Sequence, residues 1–157
     1  MNSVDIRRAS CVVDLTLSLS TVQYSANDVL ADRQELAGMF REGTGNAEIQ
    51  SVVVVDKDDQ GVAMDLVFLD SDVAIGTENS AVSISDTNAA KVVGIVSVTT
   101  ANYVDLINSQ VATKSDLGIR VQGASDQSSL WVGAITRGGT PTHTASGIVL
   151  RVGVIQD

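Results

Sequence analysis

The chain has 157 residues, enough for one domain with a substantial core; 44% are hydrophobic and only 3% aromatic. Its core must therefore be built from Val, Ile, Leu and Ala, with little of the flat aromatic surface that sugar-binding and base-stacking sites use. The formal net charge of −9 makes the surface repel phosphate backbones, so nucleic acid is not an expected partner.

The acidity is local. Residues 53–105 carry nine acids against Lys57 and Lys91, whereas residues 106–157 are close to neutral. A single cysteine, Cys11, excludes an internal disulfide, and its apolar strand context makes it a small buried hydrophobe. Arg7 and Arg8 are followed by no apolar run of signal-peptide length, and no run reaches membrane-spanning length. The expected setting is the cytoplasm, or a particle assembled there, without membrane contact.

Taken in order, residues 1–9 are polar and aperiodic and read as an N-terminal arm; residues 10–157 read as one domain. Val13 to Ser20 alternates cleanly, with Val13, Leu15, Leu17 and Leu19 inward, which predicts a half-buried strand. Gln23 to Ala37 holds no helical face for long and reads as a loop, a short strand and a turn. Val52 to Asp72 is the organising stretch. Four valines enter an acidic segment ending at Gly61, and then Val62, Met64, Leu66 and Phe68 alternate with Ala63, Asp65, Val67 and Leu69. This pattern predicts two strands of an antiparallel hairpin joined by a loop from Asp56 to Gly61.

Further along, Ala81 to Ser85 alternates, and Ser85, Asp86 and Thr87 are N-cap residues for one helical turn at Asn88 to Lys91. Val92 to Thr99 reads as a buried strand. Asn102 to Ile107 and Gln110 to Thr113 read as short extended segments about an Asn108-Ser109 turn. Leu117 to Gln122, Ser129 to Thr136 and Ile148 to Ile155 complete about eight strands, the last preceded by a Gly/Thr-rich loop from Arg137 to Gly147. The predicted fold is all-β: a single-domain antiparallel β-sandwich or jelly-roll-like barrel with a short N-terminal arm.

The chemistry-bearing residues are few. Asp56, Asp58 and Gly61 match the start of a calcium loop, D-x-D-x-x-G, with Asp59 as a further donor. The position that should hold a bidentate Glu is Val67, within a strand, so a solvated acidic hairpin tip is the expectation. Asp70 and Asp72 flank a second acidic turn. His143, the one histidine, lies in a loop with no acid near it in sequence and reads as a dispensable surface residue. One His and one Cys argue against zinc or copper, so no metal, cofactor or catalytic residue is assigned. Arg137-Gly138-Gly139 is followed by no helix that would hold a phosphate, and Trp131 reads as packing.

The segments VVVVDKDDQGVAMDLVFLDSDVAIGTENSAVSISD, VVGIVSV and the terminal GIVLRVGVIQD resemble a family of small virion structural proteins. These are encoded near the major capsid gene of tailed bacteriophages, and some are head decoration or cement proteins. The likeness runs over most of residues 10–157. It implies a non-enzymatic protein on the outer surface of the virion, bound to the major capsid protein and bridging neighbouring subunits. It also implies self-association, as a homotrimer, which mixed-face strands such as Val62 to Leu69 and Ile148 to Ile155 would serve by needing cover on both sides. Arg7 and Arg8, in the arm, are the candidate partner-binding residues. The alternatives are a head-completion or tail structural protein and, from another class, a ligand-binding β-sandwich module.

Overall fold

A computed structural model describes residues 9–41, 45–123 and 128–157. Of these residues, 50% are in strands or bridges and 5% in helices. The strands are β1 (Ala9–Thr16), β2 (Val29–Leu36), β3 (Asn46–Asp56), β4 (Met64–Leu69), β5 (Val92–Val98), β6 (Tyr103–Asp105), β7 (Gln110–Lys114), β8 (Ile119–Gln122), β9 (Leu130–Thr136) and β10 (Ile148–Gln156). A short α-helix, α1 (Asp86–Ala89), starts at the Ser85 cap, whose hydroxyl accepts from the Asn88 N–H at 3.1 Å, and a single 3-10 turn spans Thr100–Asn102.

One sheet runs β1-β10-β3-β7-β6, with β8 on β3 beside β7; the other runs β2-β9-β4-β5. The named strand pairs are antiparallel. Apart from the β4–β5 hairpin and the β6-β7-β8 run, each connection crosses from one sheet to the other. First and last strands pair while successive strands alternate between sheets, which is jelly-roll topology. The sandwich predicted from the sequence is the fold observed.

Between the sheets lies one core of aliphatic side chains. Leu15, Leu17 and Leu19 enter it with the predicted parity, although β1 ends at Thr16. Met64, Leu66 and Phe68 enter from β4, and Ile148, Leu150, Val152 and Val154 from β10. Each of these contributes roughly 1.5–3 kcal/mol on burial. Cys11 packs against the edge of this core, half-buried.

The hairpin predicted for Val52 to Asp72 does not form. β3 pairs with β10, β7 and β8, while β4 lies in the opposite sheet between β9 and β5. Alternation shows that each segment is a strand with a buried face, but not which neighbour it takes. The seven residues from Lys57 to Ala63 cross between sheets because the Asp56 carboxylate gathers the backbone N–H groups of Asp58, Gln60 and Gly61.

β4 is buried on both faces, as its pattern required, but the outer cover comes from the chain itself. Segment 70–91 straps across the sheet, placing Ile75 with Val29, Val67, Leu69 and Ile135 in a second apolar cluster. Asp32 anchors the strap by accepting from the Ile75 N–H at 3.0 Å, and Asn88 donates to the Ala74 carbonyl at 3.0 Å. Gly133 is required here because a Cβ would overlap the Ile75 side chain. The cover that β4 seemed to need from a second subunit is therefore internal. Ala81 to Ser85, within the strap, forms a single bridge at Ala81 rather than a strand. β5 is an edge strand with Ile95 exposed, not the buried strand expected of Val92 to Thr99.

Phe68→Ala should lower stability by about 3–5 kcal/mol in urea unfolding, because the inner face of β4 cannot collapse onto the void. Cys11→Ala, at a half-buried position, should cost about 1 kcal/mol or less.

Candidate functional site

The chemistry-bearing residues gather at one end of the sandwich, where β3 ends and β10 begins, with Asp56 opposite Ile148 in one pairing and Gln110 in the other. Asp56 is 1% exposed. Its Oδ1 accepts from the Asp58 N–H at 3.0 Å, and its Oδ2 from Gln60 N–H at 2.8 Å and Gly61 N–H at 2.7 Å. Gly61 has φ 57°, and a Cβ there would overlap the Gln110 side chain, whose Nε2 donates to Asp59 Oδ1 at 3.0 Å. The loop is a folded bracket, not the solvated tip predicted. Asp59 turns outward to Gln110.

Asp58 points from this bracket towards the β9–β10 loop. Its Oδ2 accepts from the Thr144 N–H at 2.9 Å and its Oδ1 from Thr144 Oγ1 at 2.9 Å. Gly147 makes room, since a Cβ there would overlap the Asp58 carboxylate. Burial pushes the Asp58 carboxyl up, but Thr144 and the neighbouring His143 outweigh that and hold it below its ordinary value.

His143 is 4% exposed and packs edge-on against Tyr24, ring centroids 6.2 Å apart. Its Nδ1 lies 3.4 Å from Asp58 Oδ2, yet neither ring nitrogen has a hydrogen-bond partner. The surface-loop assignment for His143 is therefore wrong: the acid that sequence distance hid is supplied by the β3–β4 loop. Asp56, Asp58 and His143 bring one donor atom each within 4.8 Å of one another. Tyr24 is sealed beneath, its hydroxyl donating to the Leu30 carbonyl at 3.0 Å, and burial with nearby Glu78 pushes its pKa up to about 12.

Beside this cluster stands the β6–β7 hairpin, whose tip is apolar and solvent-facing. Val104 is 62% exposed, Leu106 55% and Ile107 83%. Leu106 N–H donates to the Ser109 carbonyl at 2.8 Å, leaving Ile107 and Asn108 as a two-residue loop. Ile107 has φ 76°, and the Asn108 N–H closes a three-residue turn onto the Leu106 carbonyl at 3.0 Å. Glycine is the residue such a position favours, and a β-branched side chain there is strained. The Asp105 carboxylate helps to hold the turn by accepting the Ile107 N–H at 2.7 Å. The hairpin itself was expected, but the left-handed residue is Ile107 rather than the turn-forming Asn108 or Ser109, so neither the strain nor the exposure was visible in the sequence.

Between the strap and the sheet it covers, Ile84 on one side and Val67, Ile95, Ile135 and Arg137 on the other line a largely apolar groove of about 390 Å³. Arg137 is held by Asp65 at 2.7 Å and Asn27 at 3.0 Å. Asp72 pairs with Arg33 at 2.9 Å, and Asp70 accepts from the Ser71 hydroxyl at 2.8 Å. Trp131 packs against the outer apolar cluster, as predicted. Arg7 and Arg8 lie outside the described residues. Among the described residues, no helix is long and apolar enough to cross a membrane.

No protein-family model and no curated protein matches the sequence. Two solved structures of virus origin resemble it weakly. A chain of Desmodium yellow mottle tymovirus aligns over 99% of this chain and 84% of its own, at 9% identity and a TM-score of 0.30. A chain from infectious bursal disease virus Gx strain aligns over 96% of this chain and 40% of its own, at 15% identity and a TM-score of 0.22. Likeness at this level bears no weight for function.

Since the folded state holds the Asp58 carboxyl below its ordinary value of 3.8, it binds that proton less tightly than the unfolded chain does. The resulting stability is fully present above that pH and is lost as pH falls below it. Thermal unfolding followed between pH 5 and pH 2 should show this loss (on the order of a few pH units wide), and Asp58→Asn should flatten it.

Proposed function

We propose that this protein is a structural virion component that binds the outer surface of a bacteriophage capsid and bridges neighbouring copies of the major capsid protein, stabilising the shell. The observation that carries the reading is the Ile107 tip. A β-branched side chain that is 83% exposed and held at φ 76° costs stability, on the order of 1–3 kcal/mol, and contributes nothing to the core. Such a cost is retained where the exposed shape is used, and an apolar knob on a rigid hairpin suits insertion into a pocket on a neighbouring subunit.

Three further features support the same role. The net charge of −9 suits the outside of a shell better than its DNA-facing interior. The jelly roll offers rigid strands that hold the β3–β4, β6–β7 and β9–β10 loops together at one end. The resemblance to head decoration proteins supplies the partner. Because the strap already covers β4, contacts belong to the loop end and the sheet edges rather than to that outer face. Residues 1–9, with Arg7 and Arg8, extend the contact by gripping carboxylates on a second subunit. Self-association into trimers follows from the bridging role and is tested by sedimentation of the free protein.

Ile107→Asn relieves the backbone strain while removing the knob. The free protein should become more stable by up to about 1 kcal/mol, while affinity for purified particles in co-sedimentation should fall roughly tenfold or more. Unchanged attachment would remove the hairpin from the interface. Deleting residues 2–9 should leave the sandwich folded and weaken attachment, more so at high salt. Particles should carry hundreds of copies; about a dozen or fewer would mark a ring component instead.

A further inference from the structure

We propose that Asp56, Asp58 and His143 form a binding site for one divalent transition-metal ion, with Zn²⁺ the best match, which locks the β3–β4 loop to the β9–β10 loop. The proposal starts from the imidazole. His143 is 4% exposed and both its ring nitrogens are buried without a hydrogen-bond partner. A buried polar group left in that state is costly, and native structures supply it with a partner. The side chain lies against two carboxylates, and Nδ1 is 3.4 Å from Asp58 Oδ2.

The three donor atoms already lie within 4.8 Å of one another. Ligands bonded to zinc at about 2.0–2.2 Å sit roughly 3–4 Å apart, so small side-chain rotations close the remaining gap. Lone pairs are free for this. Asp56 Oδ1 accepts one hydrogen bond, from the Asp58 N–H, and Asp58 Oδ1 accepts one from Thr144 Oγ1. The backbone N–H groups on Asp56 and the Thr144 N–H on Asp58 then orient the ligands from behind.

Charge and donor type narrow the ion. Two carboxylates balance a dication, which a site this buried requires. Calcium and magnesium take oxygen donors, whereas an imidazole with carboxylates suits Zn²⁺, Mn²⁺ or Co²⁺. The ligands come from segments more than eighty residues apart in sequence, as the Asp58–Thr144 separation of 86 shows. A bound ion therefore cross-links the two loops that close one end of the sandwich. This holds whether or not the protein decorates a capsid.

His143 is the one histidine in the chain, so its ring can be observed directly. With ¹⁵N-histidine labelling of the full chain, stripped of metal by a chelator, Zn²⁺ should shift the His143 ring nitrogen resonances, saturating at one ion per chain. At a free ion concentration of about 100 Kd, Tm should rise by roughly 5–10 °C. Ca²⁺ at the same concentration should do neither. In a Cys11→Ala background, which removes the thiol as a competing ligand, the response should persist. Asp58→Asn should weaken binding at least tenfold. Ring resonances that stay unmoved by Zn²⁺, Mn²⁺ and Co²⁺ would overturn the proposal without any variant needing to fold. A response to Ca²⁺ equal to that to Zn²⁺ would overturn the role of the imidazole.

Discussion

The Asp56 carboxylate is the constraint on which this jelly roll turns. It ends β3, is almost fully buried, and is satisfied by three backbone N–H groups of the residues that follow it. A charged acceptor strengthens each of these bonds, and its removal would leave several donors unpaired where the chain leaves one sheet for the other. By bending the chain at this point, Asp56 sends β4 into the opposite sheet. That leaves both sides of β3 open, one to β10 and the other to β7 and β8. The acid run that looks like a hairpin tip is thus a corner of the fold.

The same corner gathers other features. β3 delivers Asp56 beside Gln110, at the base of the β6–β7 hairpin, and Gln110 reaches back to Asp59. The Tyr103 hydroxyl donates to the Val62 carbonyl at 3.0 Å, bracing the hairpin against the crossing loop; burial, with Asp56 near, raises its pKa. The Lys57 N–H donates to the Gly147 carbonyl at 2.8 Å, tying that loop to the start of β10. Rigid support on several sides keeps Ile107 in a conformation it would not otherwise hold. A bound ion between Asp58 and His143 would stiffen the same end further.

The opposite sheet shows how one chain can remove an apparent need for a partner. β4 is apolar on its inner face and carries Val67 and Leu69 beside Asp65 on its outer one, a pattern that another subunit could cover. Here segment 70–91 does so, pinned to β2 by Asp32, folded on itself by the Asn88–Ala74 hydrogen bond, and seated on the bare backbone at Gly133. What remains open is an apolar groove beside Ile95 and the loop end, so the surfaces available to neighbours are discrete.

Local pattern was sufficient for the strands themselves. Alternation in Val13 to Leu19, in Val62 to Leu69 and in Ile148 to Ile155 reports which side chains face the core between the sheets, because side-chain direction has period two whatever the pairing. The Ser85 cap, the β6–β7 hairpin and the all-β class were legible for the same reason: each depends on neighbours within a few residues. Sheet membership was not, since β3 and β4 read alike whether they pair or part. Nor were the burial of His143, its meeting with Asp58, and the strain at Ile107. Those depend on loops brought together across more than eighty residues, and on a backbone angle that two sheets impose on a residue whose own preference opposes it.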